Sequence, residues 1–288
     1  MSALGGERTL ANRDGFPART ADVEKIVNAL PKIRFTRVMT RQEKRYSRLK
    51  VADGVMHARV QVAGDGGRTL ADFRIGEGDF NTVHVRMEGD PAVYEATGIS
   101  TWELPVAVSG LVDSGFLDLP ADQVVKVTVK HAEMFDVVKE MPESRPASRP
   151  ESQGTDTGPS TRGAETKPEP KWVSGGQTLD KTKVESWIRG LTRLNLSDPV
   201  GKEKKPEYGF EKPTSTVVLT MADGKETTIV VGAERTEQHD YYLTATGKDF
   251  IVTVAAWNVT DQFQKKQKDL LPGAPSTTDP GHEGHDHR

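Results

Sequence analysis

The sequence reads itself twice. Near its start stands ADVEKIVNALPKIRF, beginning at Ala21, with apolar side chains at Val23, Ile26, Val27, Leu30, Ile33 and Phe35. Far downstream, TKVESWIRGLTRLNL, beginning at Thr182, places Val184, Trp187, Ile188, Leu191, Leu194 and Leu196 at the same spacings. Val23 is answered by Val184, Phe35 by Leu196 and, past the helical text, Leu49 by Phe210, all at one offset of 161 residues. A duplicated module is the simplest origin, and an internal period fixes domain count before any motif is weighed. With 288 residues there is room for two such modules, each large enough to bury its own core.

The same order of elements follows both helices. In the first copy it is VMHARVQVA, TLADFRIG, NTVHVRM and AVYEA, beginning at Val55, Thr69, Asn81 and Ala92. In the second it is STVVLTM, KETTIVVG, DYYLTAT and DFIVTVA, beginning at Ser215, Lys225, Asp240 and Asp249. Alternation with period two and β-branched residues marks half-buried strands. Asp223-Gly224 is a hairpin signal, matched in the first copy by the glycine-rich AGDGG from Ala63, and Gly89-Asp90 and Gly247-Lys248 mark the next turn in each copy. Trp102 and Trp257 then open helix-like stretches, and these two together with Trp187 are expected in the core, while Trp172 opens the second copy. Only the first copy continues into a further strand, DQVVKVTVKHAEMF from Asp122.

The expected fold class is therefore α+β: two tandem copies of a helix packed on a small antiparallel β-meander. The first module is placed at residues 1–139 and the second at 171–271. Between them, residues 140–170 are rich in Pro, Ser, Glu, Thr and Gly, with no large apolar residue after Met141. Such a stretch buries too little apolar surface to offset its ordering entropy, so a disordered Pro/Ser-rich linker is expected, and a second polar tail at residues 272–288.

Composition excludes several functions. Lys and Arg number 39 against 42 Asp and Glu, which provides no electrostatic footprint for nucleic acid. Cysteine is absent, which removes disulfides, thiolate metal sites and cysteine nucleophiles together. No apolar run reaches the roughly 18 residues a membrane span requires, and the opening MSALGGERTLANR lacks the apolar centre of a signal peptide, so the chain as written is expected to be soluble.

No catalytic, cofactor-binding or metal-binding residue is assigned from sequence. His282, His285 and His287 offer imidazoles beside Glu283 and Asp286, but in a Gly/Pro-rich tail with nothing to orient the rings. His57, His84, His131 and His239 are scattered through or beside strands. Ser109-Gly110 and Ser174-Gly175-Gly176 lack the G-x-S-x-G form of a nucleophile elbow. AGDGG lies between two strands without a following Lys-Ser/Thr, so turn chemistry accounts for it better than a phosphate cradle.

An ordered set of phrases resembles a bacterial family. It comprises L-x-N-R-D-G-F-P-A at residues 10–18, Y-S-R-L-x-V-x-D at 46–53, R-I-G at 74–76, V-H-V-R-M with A-V-Y at 83–94, and F-L-D-L-P-A-D-Q-V-x-x-V-T-V at 116–129. The family is domain of unknown function 4340. The resemblance implies tandem α+β envelope proteins facing outside the cytoplasm, typically behind an N-terminal membrane helix, some of them encoded beside gliding-motility-type ABC transporter genes. It implies no catalytic residues. The expectation is thus a non-enzymatic accessory or scaffold subunit, with a protein partner in a membrane complex and no cofactor. Two rivals are a ligand-binding module with a cleft between the copies and a hydrolase with an unrecognised site.

Overall fold

A computed structural model describes residues 8–64, 68–79, 81–105, 107–141 and 169–274. The chain divides into two compact units, Met1–Ser114 and Gly115–Arg288. In the first, a two-stranded hairpin, β1 (Thr9–Leu10) and β2 (Phe16–Pro17), leads into α1 (Thr20–Ala29). Five strands follow: β3 (Arg34–Thr40), β4 (Ala58–Ala63), β5 (Thr69–Glu77), β6 (Val83–Met87) and β7 (Val93–Thr97). They form one antiparallel sheet in the order β3-β7-β6-β5-β4.

The second unit begins with β8 (Gly115–Asp118), β9 (Val124–Lys130), β10 (Met134–Glu140), β11 (Lys171–Ser174) and β12 (Gln177–Thr178). After α2 (Lys181–Thr192) come β13 (Arg193–Asn195), β14 (Asp198–Gly201), β15 (Ser215–Met221), β16 (Glu226–Arg235), β17 (Asp240–Ala245), β18 (Ile251–Ala255) and a one-turn α3 (Ala256–Asn258). Nine of these strands make a single sheet, β12-β11-β10-β9-β15-β16-β17-β18-β14, while β8 pairs with β13 alone.

This corrects the expected fold class. The described residues do not build two helices each laid on a small meander: antiparallel sheet dominates, one sheet reaches nine strands, and the longest of the three short α-helices among them has twelve residues. Segments read as connections or as helix-like, at 34–40, 115–118 and 198–201, are strands. The boundary between the units, after Ser114, also falls inside the expected first module of residues 1–139. β9 runs antiparallel along β15, with Val129 opposite Val217 and Val127 opposite Leu219, which occupies backbone groups that the edge of β15 would otherwise present unpaired. Of the expected linker, Glu140 ends β10 and lies opposite Lys171 of β11, residue 141 is described, and residues 142–168 lie outside the described residues. The tail from residue 275 lies outside them too.

Duplication is nevertheless written into the register. The order β14-β18-β17-β16-β15 repeats β3-β7-β6-β5-β4 strand for strand. The register slip between Val38 and Thr40 of β3 recurs between Pro199 and Gly201 of β14. Gly76 of β5 and Gly232 of β16 do one job: a Cβ at the first would collide with the Leu49 carbonyl oxygen, and at the second with that of Tyr208, so only glycine lets those loops cross so closely.

The helices differ in what they bury. In the second unit Val184, Trp187, Ile188 and Leu191 are all buried, and the Trp187 indole Nε1 donates to the Gln262 carbonyl at 2.8 Å. In the first, only Ala29 of α1 is buried, while Ile26 and Leu30 pack half-buried on a core of Phe73, Ile75, Val83 and Val85. The expectation of core tryptophans holds for Trp187 and fails for Trp102 and Trp257, which are 83% and 69% exposed. Trp102 stands on the three-ten turn Thr101–Glu103 soon after β7, and Trp257 on α3, which continues as a π-helix over Val259–Phe263; buried Leu104 and Val259 supply the inward faces while the tryptophans stay exposed.

Candidate functional site: a furrow open in the first unit and filled in the second

The apolar spacing of α1 continues past its end, and Pro31, which cannot prolong an α-helix, turns the chain into a three-ten turn at Leu30–Lys32. Leu30, Ile33 and Phe35 thereby form one wall of a furrow across the core face of the sheet. Val62, Ala71, Phe73 and Met87 form the other, and the furrow encloses about 370 Å³. Val27 and Phe35 on its rim are 46% and 50% exposed. Among the described residues, the outer edge of β4 at one end of the sheet carries no strand, and the β1–β2 hairpin has no third strand beside it.

In the second unit Val27, Leu30, Ile33, Phe35, Val62 and Phe73 are answered by Ile188, Leu191, Leu194, Leu196, Leu219 and Ile229, all buried, while Thr227 in place of Ala71 is half-buried. The cover comes from residues 115–140. β8 lies along β13 with Leu117 opposite Leu194, Phe116 and Leu117 are buried, and the Leu119 amide donates to the Thr192 carbonyl at 3.0 Å where α2 ends. The chain then turns through Pro120 into β9 on the edge of β15, and β10 joins β9 to β11. The first unit has the furrow, the free edge and the short hairpin, and among its described residues there is no counterpart of these three strands.

A second concavity, of about 710 Å³, lies wholly within the second unit, beside α2. Asp118, Asp122, Glu185, Arg189, Lys139 and Trp172 line it, with the Lys139 ammonium 5.7 Å from the Trp172 ring. It brings together charges of both signs without a nucleophile held against a base.

The other polar concentration is an ion network on the face of the first sheet opposite its core. Arg59 grips Asp72 through Nε at 2.9 Å and Nη2 at 2.6 Å, and Gln61 adds a third donor. Buried Arg74 donates to Asp53 at 2.7 Å and also to Glu88. The Arg74 hydrogen bond holds the Asp53 carboxyl below the usual carboxylate range, and the Arg59 hydrogen bond does the same for Asp72. Both partners of each pair are charged and satisfied, which suits structure better than proton transfer.

The histidines are not brought together. His57 Nε2 lies 3.1 Å from the Leu104 carbonyl oxygen and His131 Nδ1 lies 2.7 Å from that of Thr214. His84 stands opposite Glu95 with its Nδ1 buried and without a hydrogen-bond partner, and His239 occupies a turn with φ of 54°. Among the described residues no group of three or more His, Asp or Glu is placed to hold a metal ion. His282, His285 and His287 lie outside the described residues, as do residues 65–67 of AGDGG. The furrow was not visible in the sequence as a site. The strand text from Asp122, present after the first copy only, was its one signal.

Fold and furrow define a tandem antiparallel-sheet protein whose second unit carries covering strands with no counterpart among the described residues of its first unit. The chain belongs to the family described as Domain of unknown function (DUF4340), whose model matches residues 9–175 and again residues 172–278. No curated protein and no solved structure matches it. The first family match runs through β8, β9 and β10, so the sequence module and the compact unit are out of step: the last strands of one module complete the core of the next. Among the described residues no helix is long and apolar enough to cross a membrane.

Proposed function

We propose that this protein is a non-catalytic accessory subunit that binds another polypeptide in the furrow of its first unit, and that it does so at the cell envelope as part of a transport or motility assembly. The observation that carries the binding role is the furrow itself. Apolar side chains that are fully covered in one copy stand open in the other, next to a sheet edge with no neighbour, and such a combination marks a protein-binding surface. The envelope and the transport assembly rest on the family resemblance.

Site-specific photo-cross-linking in the native cell tests the binding role. A photoreactive phenylalanine analogue at Phe35 is expected to give one discrete adduct, whose cross-linked peptide mass spectrometry can place. The same analogue at exposed Trp257 serves as the control. Equal labelling at both positions, or none at Phe35, would overturn the proposal, and recovery of the adduct solely from the soluble cytoplasm would overturn the envelope part of it.

A further inference from the structure

Resting on that binding role, we propose the identity of the occupant: a β8-turn-hairpin segment of a partner chain, with the chemistry of residues 115–140, which lies in the furrow and inserts between β1 and β4 to complete a nine-stranded sheet. The second unit is the template. There the order β12-β11-β10-β9-β15 places a hairpin between a short β-ribbon and the edge of the main sheet. In the first unit the equivalent ribbon is β2-β1 and the equivalent edge is β4, and the two stand as separate sheets with no hairpin between them among the described residues. The β1–β2 register, Thr9 opposite Pro17, corresponds to Val173 opposite Thr178, which puts β1 where β11 receives β10.

The chemistry of the occupant follows from what the furrow and edge lack. A large apolar residue in the place of Leu117, which lies opposite Leu194 in the second unit, covers the wall at the end of α1. A proline turn, as at Pro120, brings the chain round the helix end. A strand with aliphatic residues alternating inward, as Val127 and Val129, then pairs with β4, where Ala58, Val60 and Val62 present the matching half-buried face. Main-chain hydrogen bonds supply the pairing and the alternate side chains supply the selectivity, as in other strand additions to a sheet edge.

Other sources within this sequence do not fit. Residues 142–168 and 275–288 contain no large apolar side chain, and residues 1–7 are too short for a hairpin. A second copy would have to surrender its own β9, whose Val124, Val127 and Val129 are fully buried in its second unit. The first family match includes these strands before it ends at residue 175, so another module of the same family carries an occupant of the required form.

The test uses the full chain and a fluorescent synthetic peptide of residues 115–140. Saturable binding is expected, with slowed hydrogen exchange at the β1 and β4 amides. At least a tenfold loss of affinity is expected in Val27→Asp and in Phe35→Asp, with circular dichroism and cooperative melting used to verify that both variants remain folded. A scrambled peptide should not bind. Absence of saturable binding, equal affinity for wild type and both variants, or protection confined to β15 and its neighbours would overturn the inference. Concentration-dependent dimers that ignore the peptide would do so as well, by making a second copy the occupant. A partner cross-linked at Phe35 together with no peptide binding would remove strand insertion while leaving the binding role standing; failure of both experiments removes both.

Discussion

α1 and α2 stand at the same place in two copies of one sequence pattern, yet one is buried along a whole face and the other along little more than Ala29. Their own residues do not explain this. Val23, Ile26, Val27 and Leu30 are as apolar as Val184, Trp187, Ile188 and Leu191, and both series have the 3.6-residue period of a core-facing helix. The cover explains it: β8 and β9 close the furrow at the end of α2, and among the described residues of the first unit nothing closes the furrow at the end of α1. A hydrophobic pattern therefore states which side chains seek a partner. It does not state that the partner lies in the same stretch of chain.

The sharpest break between the units is expected from truncating equivalent leucines. Leu191→Ala removes a fully buried side chain, and a loss of about 2–5 kcal/mol from the second unit is expected, the range for a cavity-forming change. Leu30→Ala acts on a half-buried side chain already facing the furrow and should cost about half as much or less, since part of its surface stays in water in the folded state. Denaturant unfolding followed by hydrogen exchange resolves the two. Equal losses would mean that the furrow is closed in solution.

A smaller pair of changes tests where the units agree. Gly76→Ala and Gly232→Ala each drive a Cβ into the backbone of a crossing loop, and each is expected to cost about 1–3 kcal/mol through overpacking. Here the loss should be similar in both units, because the loop crossing belongs to the duplicated core and not to the cover. A cost in only one of them, by thermal or chemical denaturation, would show that the loops are held differently.

The helix starts come next in size. Asp180 caps α2 by accepting from the Lys183 amide at 3.1 Å, whereas Arg19 at the start of α1 provides no side-chain cap. Asp180→Ala should therefore cost about 1 kcal/mol. Arg19→Ala loses only exposed contacts to Asp22 and to the Gly110 carbonyl, and should fall within about 0.5 kcal/mol of wild type.

The repeat, the paired turns and the inward faces of β4, β5, β15 and β16 were legible in the sequence, because period and turn chemistry are local. The nine-stranded sheet was not. Its distinguishing pairs, such as Val129 with Val217, join text assigned to different copies, and strand alternation says nothing about which edge a strand will choose. The exposed Trp102 and Trp257 misled for a related reason: an aromatic residue at an element end reads as a core anchor until the neighbouring Leu104 and Val259 are seen to occupy the inward face. The candidate site escaped because it is made by omission. Val27, Leu30, Ile33 and Phe35 read as core, and only comparison with the filled copy shows them uncovered.

The smallest expected effect separates the opposite faces of the two sheets, away from the furrow. On the first, Arg59, Asp72, Arg74 and Glu88 form the ion network together with Asp53; on the second, the matching rows of β15, β16 and β17 carry Thr216, Val218, Thr228, Val230 and Thr244. Asp53 and Asp72 have carboxyl groups depressed by their arginine hydrogen bonds. Their folded-state values lie below an unfolded value of about 4, so the stabilisation is fully present above that value and is lost as pH falls through it toward the folded values. Solvent screening keeps each contribution small, and added salt should shrink it further. Exchange of the β4, β5 and β6 amides should accelerate between about pH 5 and pH 3 relative to those of β15, β16 and β17, after correction for the intrinsic pH dependence of exchange. Asp72→Asn should flatten that difference, because it removes a titrating group while keeping the side chain's size. A first sheet that loses no protection relative to the second would show that the network stands on geometry alone, with its carboxylates equally well placed protonated or charged.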